Sequence, residues 1–264
     1  METGLITYLM AGDPDPETTL RRLKGLAEAG VDALELGVPF SDPIADGPVI
    51  QAAGLRALKG GMTLKGVLDI VRRFREANYT TPILLMSYLN PLLSYGYDKF
   101  LQDSVDSGVN GLILPDLPWQ ESLAYRKRAS ELVGDRLIFI PMIAQTSLPE
   151  HINAISEVNK GFVYVLSRNG ITGGEAEIPP HILVFIRSLE AKISIPRFVG
   201  FGIQSQKQVA KLSEVCDGVI VGSALVKKFA KIDELYLNKT NVQKVEDKIS
   251  LEQEVYNWIA QLKD

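Results

Sequence analysis

The chain has 264 residues, 46% of them hydrophobic, with a formal net charge of -4 at pH 7 and a sequence pI near 5.4. That is enough apolar material for one large core, and its scattered Lys and Arg residues form no basic footprint for nucleic acid or an anionic membrane, so neither is expected as a partner. No uninterrupted apolar run is long enough to span a bilayer, and the opening Met-Glu-Thr-Gly-Leu-Ile-Thr-Tyr lacks the basic lead and apolar core of a signal peptide, so the expectation is a single cytoplasmic domain over 1–264.

Short apolar runs recur along the chain, each fitting a buried strand: Leu5–Met10, Ala33–Leu36, Ile83–Met86, Gly111–Leu114, Leu137–Ile140, Phe162–Leu166, Arg197–Gly200 and Val219–Val221. The segments between them are amphipathic and read as helices: Glu17–Ala29, Thr63–Ala77, Tyr97–Ser107, Gln120–Val133, Pro149–Val158, Pro179–Leu189 and Ser205–Val215. Near the end, Leu251, Val255, Ile259 and Leu262 recur at helical spacing and predict a docked terminal helix, while the polar stretch Lys231–Ser250 reads as a mobile connection. Regular strand–helix alternation requires a parallel sheet, and eight units in this length favour an α/β fold closed into a (β/α)8 TIM barrel, with an open doubly wound sheet as the alternative. Ala11-Gly12-Asp13-Pro14 fills the first turn, where a dinucleotide fingerprint would need its glycines.

In a barrel, the loops after strands seven and eight commonly cradle a phosphate with backbone N–H groups. Gly200-Phe201-Gly202-Ile203 and Val221-Gly222-Ser223-Ala224 fall at those two ends, with Ser223 adding a hydroxyl, and Ser167–Gly174 after strand six has the composition of a closing lid. The same mouth receives two carboxylates, Glu35 from inside the second strand and Asp46 from the turn-rich loop after it. Strand alternation sends Ala33 and Glu35 inward among apolar neighbours, where a carboxyl is hard to ionise, whereas Asp46 lies nearer water; such a pair can divide acid–base work. Tyr164 shares a face with Phe162 and Leu166, from which its hydroxyl could reach Glu35, or it could simply fill the barrel. Tyr8, Leu85, Ile113 and Phe201 near separate strand ends are candidates to line an apolar pocket.

Other residue types narrow the chemistry. No Lys stands at the carboxyl end of a predicted strand, which disfavours a Schiff-base aldolase, and His151 and His181 sit near helix starts outside any ligand cluster, so no metal site is expected. Cys216 lies in Glu-Val-Cys-Asp-Gly without a nearby base and reads as a packing residue. Acid–base catalysis on a phosphorylated substrate with an apolar group remains.

The run Glu35-Leu-Gly-Val-Pro-Phe-Ser-Asp-Pro-Ile-Ala-Asp46-Gly-Pro, together with Ala11-Gly-Asp-Pro14, Tyr164-Val-Leu-Ser-Arg-Asn-Gly-Ile-Thr-Gly173, Gly200-Phe-Gly-Ile203 and Val221-Gly-Ser-Ala224, resembles the tryptophan synthase alpha subunit family over nearly the whole chain. The resemblance implies retro-aldol cleavage of indole-3-glycerol phosphate to indole and glyceraldehyde 3-phosphate without a cofactor in this subunit. It gives Glu35, Asp46 and Tyr164 catalytic places, lets Thr172 bond Asp46 on lid closure, and puts the phosphate on Gly173, Gly202, Gly222 and Ser223. It also implies a beta subunit carrying pyridoxal phosphate, in an alpha2beta2 assembly, with Pro39, Asp42, Asn90 and Pro118 near the interface. Two features depart from the family pattern: the amphipathic helix that usually precedes the first strand, since the sequence starts just upstream of Leu5, and the loop Gln145-Thr-Ser-Leu-Pro149. The competing readings are another phosphate-binding barrel such as indole-glycerol-phosphate synthase, which would need a strand-end Lys, and a catalytically silent regulatory subunit.

Overall fold

In the computed structural model, which describes residues 3–166, 177–236 and 243–263, each predicted apolar run is a strand. In chain order the elements are β1 (Gly4–Met10), α1 (Pro16–Glu28), β2 (Ala33–Gly37), α2 (Pro48–Lys59), α3 (Leu64–Glu76), β3 (Ile83–Met86), α4 (Leu89–Tyr95), α5 (Tyr97–Ser107), β4 (Gly111–Ile113) and α6 (Leu123–Val133). They continue with β5 (Ile138–Phe139), β6 (Met142–Ala144), α7 (Pro149–Ser156), β7 (Val163–Leu166), α8 (Pro180–Leu189), β8 (Arg197–Gly200), α9 (Gln206–Ser213), β9 (Gly218–Val221), α10 (Ser223–Tyr236) and α11 (Gln243–Lys263). Local chemistry sets several starts: the Asp15 carboxylate accepts the Thr18 N–H at 2.7 Å to cap α1, and the Thr63 hydroxyl accepts the Gly66 N–H at 3.2 Å to cap α3.

The strands are all parallel, in the order β5-β4-β3-β2-β1-β9-β8-β7-β6. β5 and β6 are two halves of a single fifth strand, bent at Ile140-Pro141 because proline has no N–H to give the ladder. The Ile140 N–H bonds the Leu112 carbonyl at 2.9 Å, and one residue later the Pro141 carbonyl accepts the Tyr164 N–H at 2.9 Å. The first half thus pairs with β4 and the second with β7, closing a (β/α)8 barrel. The strand therefore runs past the predicted Leu137–Ile140, through the proline to Ala144.

Side-chain alternation splits the apolar residues into two layers. Ile6, Ala33, Leu84, Ile113, Ile140, Phe162, Tyr164 and Ile220 fill the inside of the barrel, and Phe162 packs on Phe198 with ring centroids 4.8 Å apart. Leu34, Leu36, Ile83, Leu85, Val163, Val199 and Val219 face outward into the larger layer beneath the helices.

The expectation of a connection over Lys231–Ser250 is corrected: α10 continues to Tyr236 and α11 begins at Gln243. The charges that make this stretch look solvated are partly used inside the fold. Arg22, 2% exposed, donates to Glu252 at 3.0 Å, to Asp233 at 2.7 Å and to the Asp13 carbonyl at 3.3 Å, with its guanidinium 4.3 Å from the centre of the Phe229 ring. Lys248 reaches the same Asp233 at 2.9 Å, so α1, α10 and α11 are clamped by one buried ion cluster.

Candidate active site

Parallel pairing puts every strand's carboxyl end at one mouth. On β2, Glu35 lies between Tyr8 of β1 and Leu84 of β3 in the register, points inward and is 1% exposed. Neither carboxyl oxygen has a hydrogen-bond partner among the described residues. Burial first, then the charge of Asp46, pushes the Glu35 pKa up to about 8, so the group carries a proton at neutral pH.

Asp46 is held by its loop. Its N–H donates to the Pro43 carbonyl at 3.1 Å, the Ala45 N–H donates to the Tyr88 hydroxyl at 3.1 Å, and Gln51 Nε2 donates to the Asp46 carbonyl at 2.9 Å. Burial raises the Asp46 pKa to about 6, opposed by a hydrogen bond from the Tyr88 hydroxyl, so at pH 7 this group is the anion of the pair. Tyr8 and Tyr164 are buried, and their phenols stay neutral: desolvation first, then the nearby carboxylates, hold both well above the usual phenol value. The coupling of all four groups defines one cluster around Glu35. Tyr164 is pressed against β8, where a Cβ on Gly200 would come within 2.9 Å of its ring and 3.0 Å of its hydroxyl.

Beyond β1 and β9 along the same rim, β8 leads into buried Phe201 and exposed Gly202, whose φ of 67° favours glycine. β9 is followed by Gly222, where a Cβ would touch Tyr8, and Ser223 opens α10 at an exposed position. The Val226 N–H already bonds the Gly222 carbonyl at 3.0 Å, which leaves the N–H groups of the helix's first turn facing the mouth, a setting suited to an anion. Thr172 and Gly173 lie outside the described residues.

The expected lining needs one correction. Leu85 packs outward beneath the helices, because the pairing of Glu35 with Leu84 gives Leu84, and with it Met86, the inward parity; Ile113 does face inward. Pro39 is buried and shapes the turn, whereas Asp42 and Pro118 are exposed on the loops after β2 and β4, and Asn90 is exposed in the first turn of α4 after β3. Sequence reasoning missed Tyr88 and Met86. The alternation that places Glu35 would have found Met86 once strand register was known, but no local pattern announces that the Tyr88 hydroxyl reaches the loop of Asp46.

Fold and site together define an α/β barrel that sets a protonated, desolvated carboxyl against an ionised one at a mouth also able to hold an anion. The profile of the family described as tryptophan synthase alpha chain matches residues 1–257. The chain belongs to this family. It is 44% identical over 229 residues to the tryptophan synthase alpha chain of Caldanaerobacter subterraneus subsp. tengcongensis, covering 86% of this chain and 85% of the relative. It is 43% identical over 234 residues to that of Geobacillus stearothermophilus, covering 88% and 85%. The crystal structure of the Legionella pneumophila alpha chain superposes with a TM-score of 0.85 at 35% identity, over 100% of this chain and 92% of that one. A Pyrococcus furiosus chain, described as part of a tryptophan synthase a2b2 complex, gives 0.85 at 34% identity over 99% of both.

Proposed function

We propose that Glu35 and Asp46 are the groups with which this member of the family performs the alpha-subunit reaction, cleavage of indole-3-glycerol phosphate to indole and glyceraldehyde 3-phosphate. The observation that carries the assignment is the unpartnered, fully buried Glu35 carboxyl beside an Asp46 that ionises more readily. Glu35 gives its proton to the indole carbon bearing the glycerol chain, and Asp46 accepts the indole N–H and stabilises the positive charge that appears on nitrogen. Glu35, now a carboxylate, takes the proton of the adjacent glycerol hydroxyl. The carbon–carbon bond breaks, its electron pair restores the neutral indole, and the hydroxyl carbon becomes the aldehyde. The acid is thereby regenerated, and the sum of the steps consumes no proton or electron.

Tyr164 lies beside the scissile bond in this scheme. Tyr8, Met86, Ile113 and Phe201 pack the indole, and Gly202, Gly222 and Ser223, with Thr172 and Gly173 on the lid, serve phosphate and closure. The scheme calls for no cofactor in this subunit. Pyridoxal phosphate belongs to the beta subunit, which takes the indole onward in an alpha2beta2 assembly, with Asp42, Asn90 and Pro118 on the facing surface. Cytoplasmic placement belongs to the same proposal; among the described residues no helix is long and apolar enough to cross a membrane.

The test is indole release from indole-3-glycerol phosphate by the purified chain, with and without a tryptophan synthase beta subunit. Turnover that rises with the partner supports the lyase reading. A chain that binds the partner and releases no indole is a regulatory subunit, and the reading fails.

A further inference from the structure

The Asp46 carboxylate is carried by a loop, yet its proposed task demands a fixed direction toward the indole nitrogen. What fixes it comes from the neighbouring strand. Tyr88 follows β3, is 4% exposed, and packs its ring against Phe40 of the Asp46 loop with centroids 5.4 Å apart. Its own backbone is anchored: the Ser87 hydroxyl donates to the Tyr88 carbonyl at 3.1 Å, and the next N–H, of Leu89, donates to the Asp116 carboxylate at 3.0 Å. The Tyr88 oxygen accepts the Ala45 N–H at 3.1 Å. A phenol has one proton, and with the oxygen engaged by Ala45 that proton is left to donate to the adjacent residue's carboxylate.

We propose that Tyr88 is a positioning residue for Asp46: it binds the loop through Ala45 and aims the carboxylate by donating its hydroxyl proton to it. The proposal rests on the role assigned to Asp46 above. A donor to the charged form favours ionisation, in keeping with the direction in which Tyr88 moves the Asp46 pKa. The other ionisable groups that sense Asp46 are Glu35 on β2, Tyr8 on β1 and Tyr164 on β7, while Asp116 after β4 acts on Tyr88 itself. Of these, Tyr8 also senses Tyr88 directly, but as a buried neutral phenol it carries no charge across the acid limb.

Tyr88→Phe keeps the ring on Phe40 and deletes both hydrogen bonds. Measured on the full complex with a beta subunit, kcat for indole release should fall about ten- to a hundredfold, the span expected for a lost hydrogen bond to a charged group. The acid limb of the pH–rate profile should move about one pH unit higher, because Asp46 then needs a higher pH to ionise. In the Asp46→Asn background, the same change should have little further effect. An unmoved acid limb, or an equal proportional loss in the Asp46→Asn background, would overturn the proposal, since a merely structural role lowers activity without shifting the limb. If wild type is active and Asp46→Asn is unimpaired, the failure lies with the assignment of Asp46.

Discussion

Replacing Glu35 by Gln keeps the shape of the side chain and removes its ability to ionise. The folded protein holds the Glu35 proton up to about pH 8, whereas the unfolded chain releases it near the ordinary value of 4.5. Because the folded value is the higher one, the group's contribution to stability is fully present below about 4.5 and is lost as pH rises through about 8. Each pH unit in that window is worth about 1.4 kcal/mol. Glu35→Gln carries no such loss, so its advantage over wild type should be near nil at the acid end, about 3 kcal/mol at pH 7 and about 5 kcal/mol at pH 9. The unpartnered amide of Gln and the unpartnered neutral carboxyl are similarly costly, so that cost largely cancels in the difference. Urea unfolding of both proteins at pH 5, 7 and 9, followed by circular dichroism, reads the difference directly. A gap that stays constant within about 1 kcal/mol across those values would refute the claim that Glu35 is buried and protonated.

The same two pKa values set the rate profile: kcat/KM should fall below about pH 6, as Asp46 gains a proton, and above about pH 8, as Glu35 loses one, giving a bell that steady-state assays across pH 5 to 9.5 will trace. Gly200→Ala places a methyl against Tyr164 in a packed interior; a loss of about 1–3 kcal/mol in stability and about tenfold in kcat/KM is expected, checked by melting and initial rates. Arg22→Met retains an apolar stem on Phe229 but removes one of two cations from each acid, leaving Glu252 to Arg21 and Asp233 to Lys248. It should cost about 2 kcal/mol in urea unfolding while leaving the acid and alkaline limbs of the rate profile in place.

What was legible in the sequence followed from short-range physics. Buried parallel strands are continuous apolar runs, so β1 to β4 and β7 to β9 stand out, and period-two alternation sends Glu35 inward without any knowledge of its neighbours. The fifth strand was read short because Pro141 looks like an ending, whereas closure of the barrel only requires that each half find a different neighbour. α2 is not legible because, apart from Ile50, its buried side is made of Ala53, Gly54 and Ala57, too small to mark an apolar stripe, and α4 is not because it is a short helix with Pro91 in its first turn. The charges of Asp233 and Lys248 suggested a solvated connection because ion pairing with Arg22 and between α10 and α11 is a long-range fact. Proximity to a strand end points to Leu85 as a pocket residue; only the register with Glu35 shows that Leu84 and Met86 hold the inward parity. Tyr88 was invisible for the same reason, since its partners Ala45 and Asp46 lie on another strand's loop.

The division of labour between the two carboxyl groups is tested most directly by single-turnover indole release from indole-3-glycerol phosphate in wild type, Glu35→Gln and Asp46→Asn, each assembled with a beta subunit. Release should fall beyond about a thousandfold in Glu35→Gln, with a smaller loss in Asp46→Asn that grows no worse at low pH. Release by Glu35→Gln within about tenfold of wild type would contradict it, because no other buried acid among the described residues stands beside Asp46 to supply the proton.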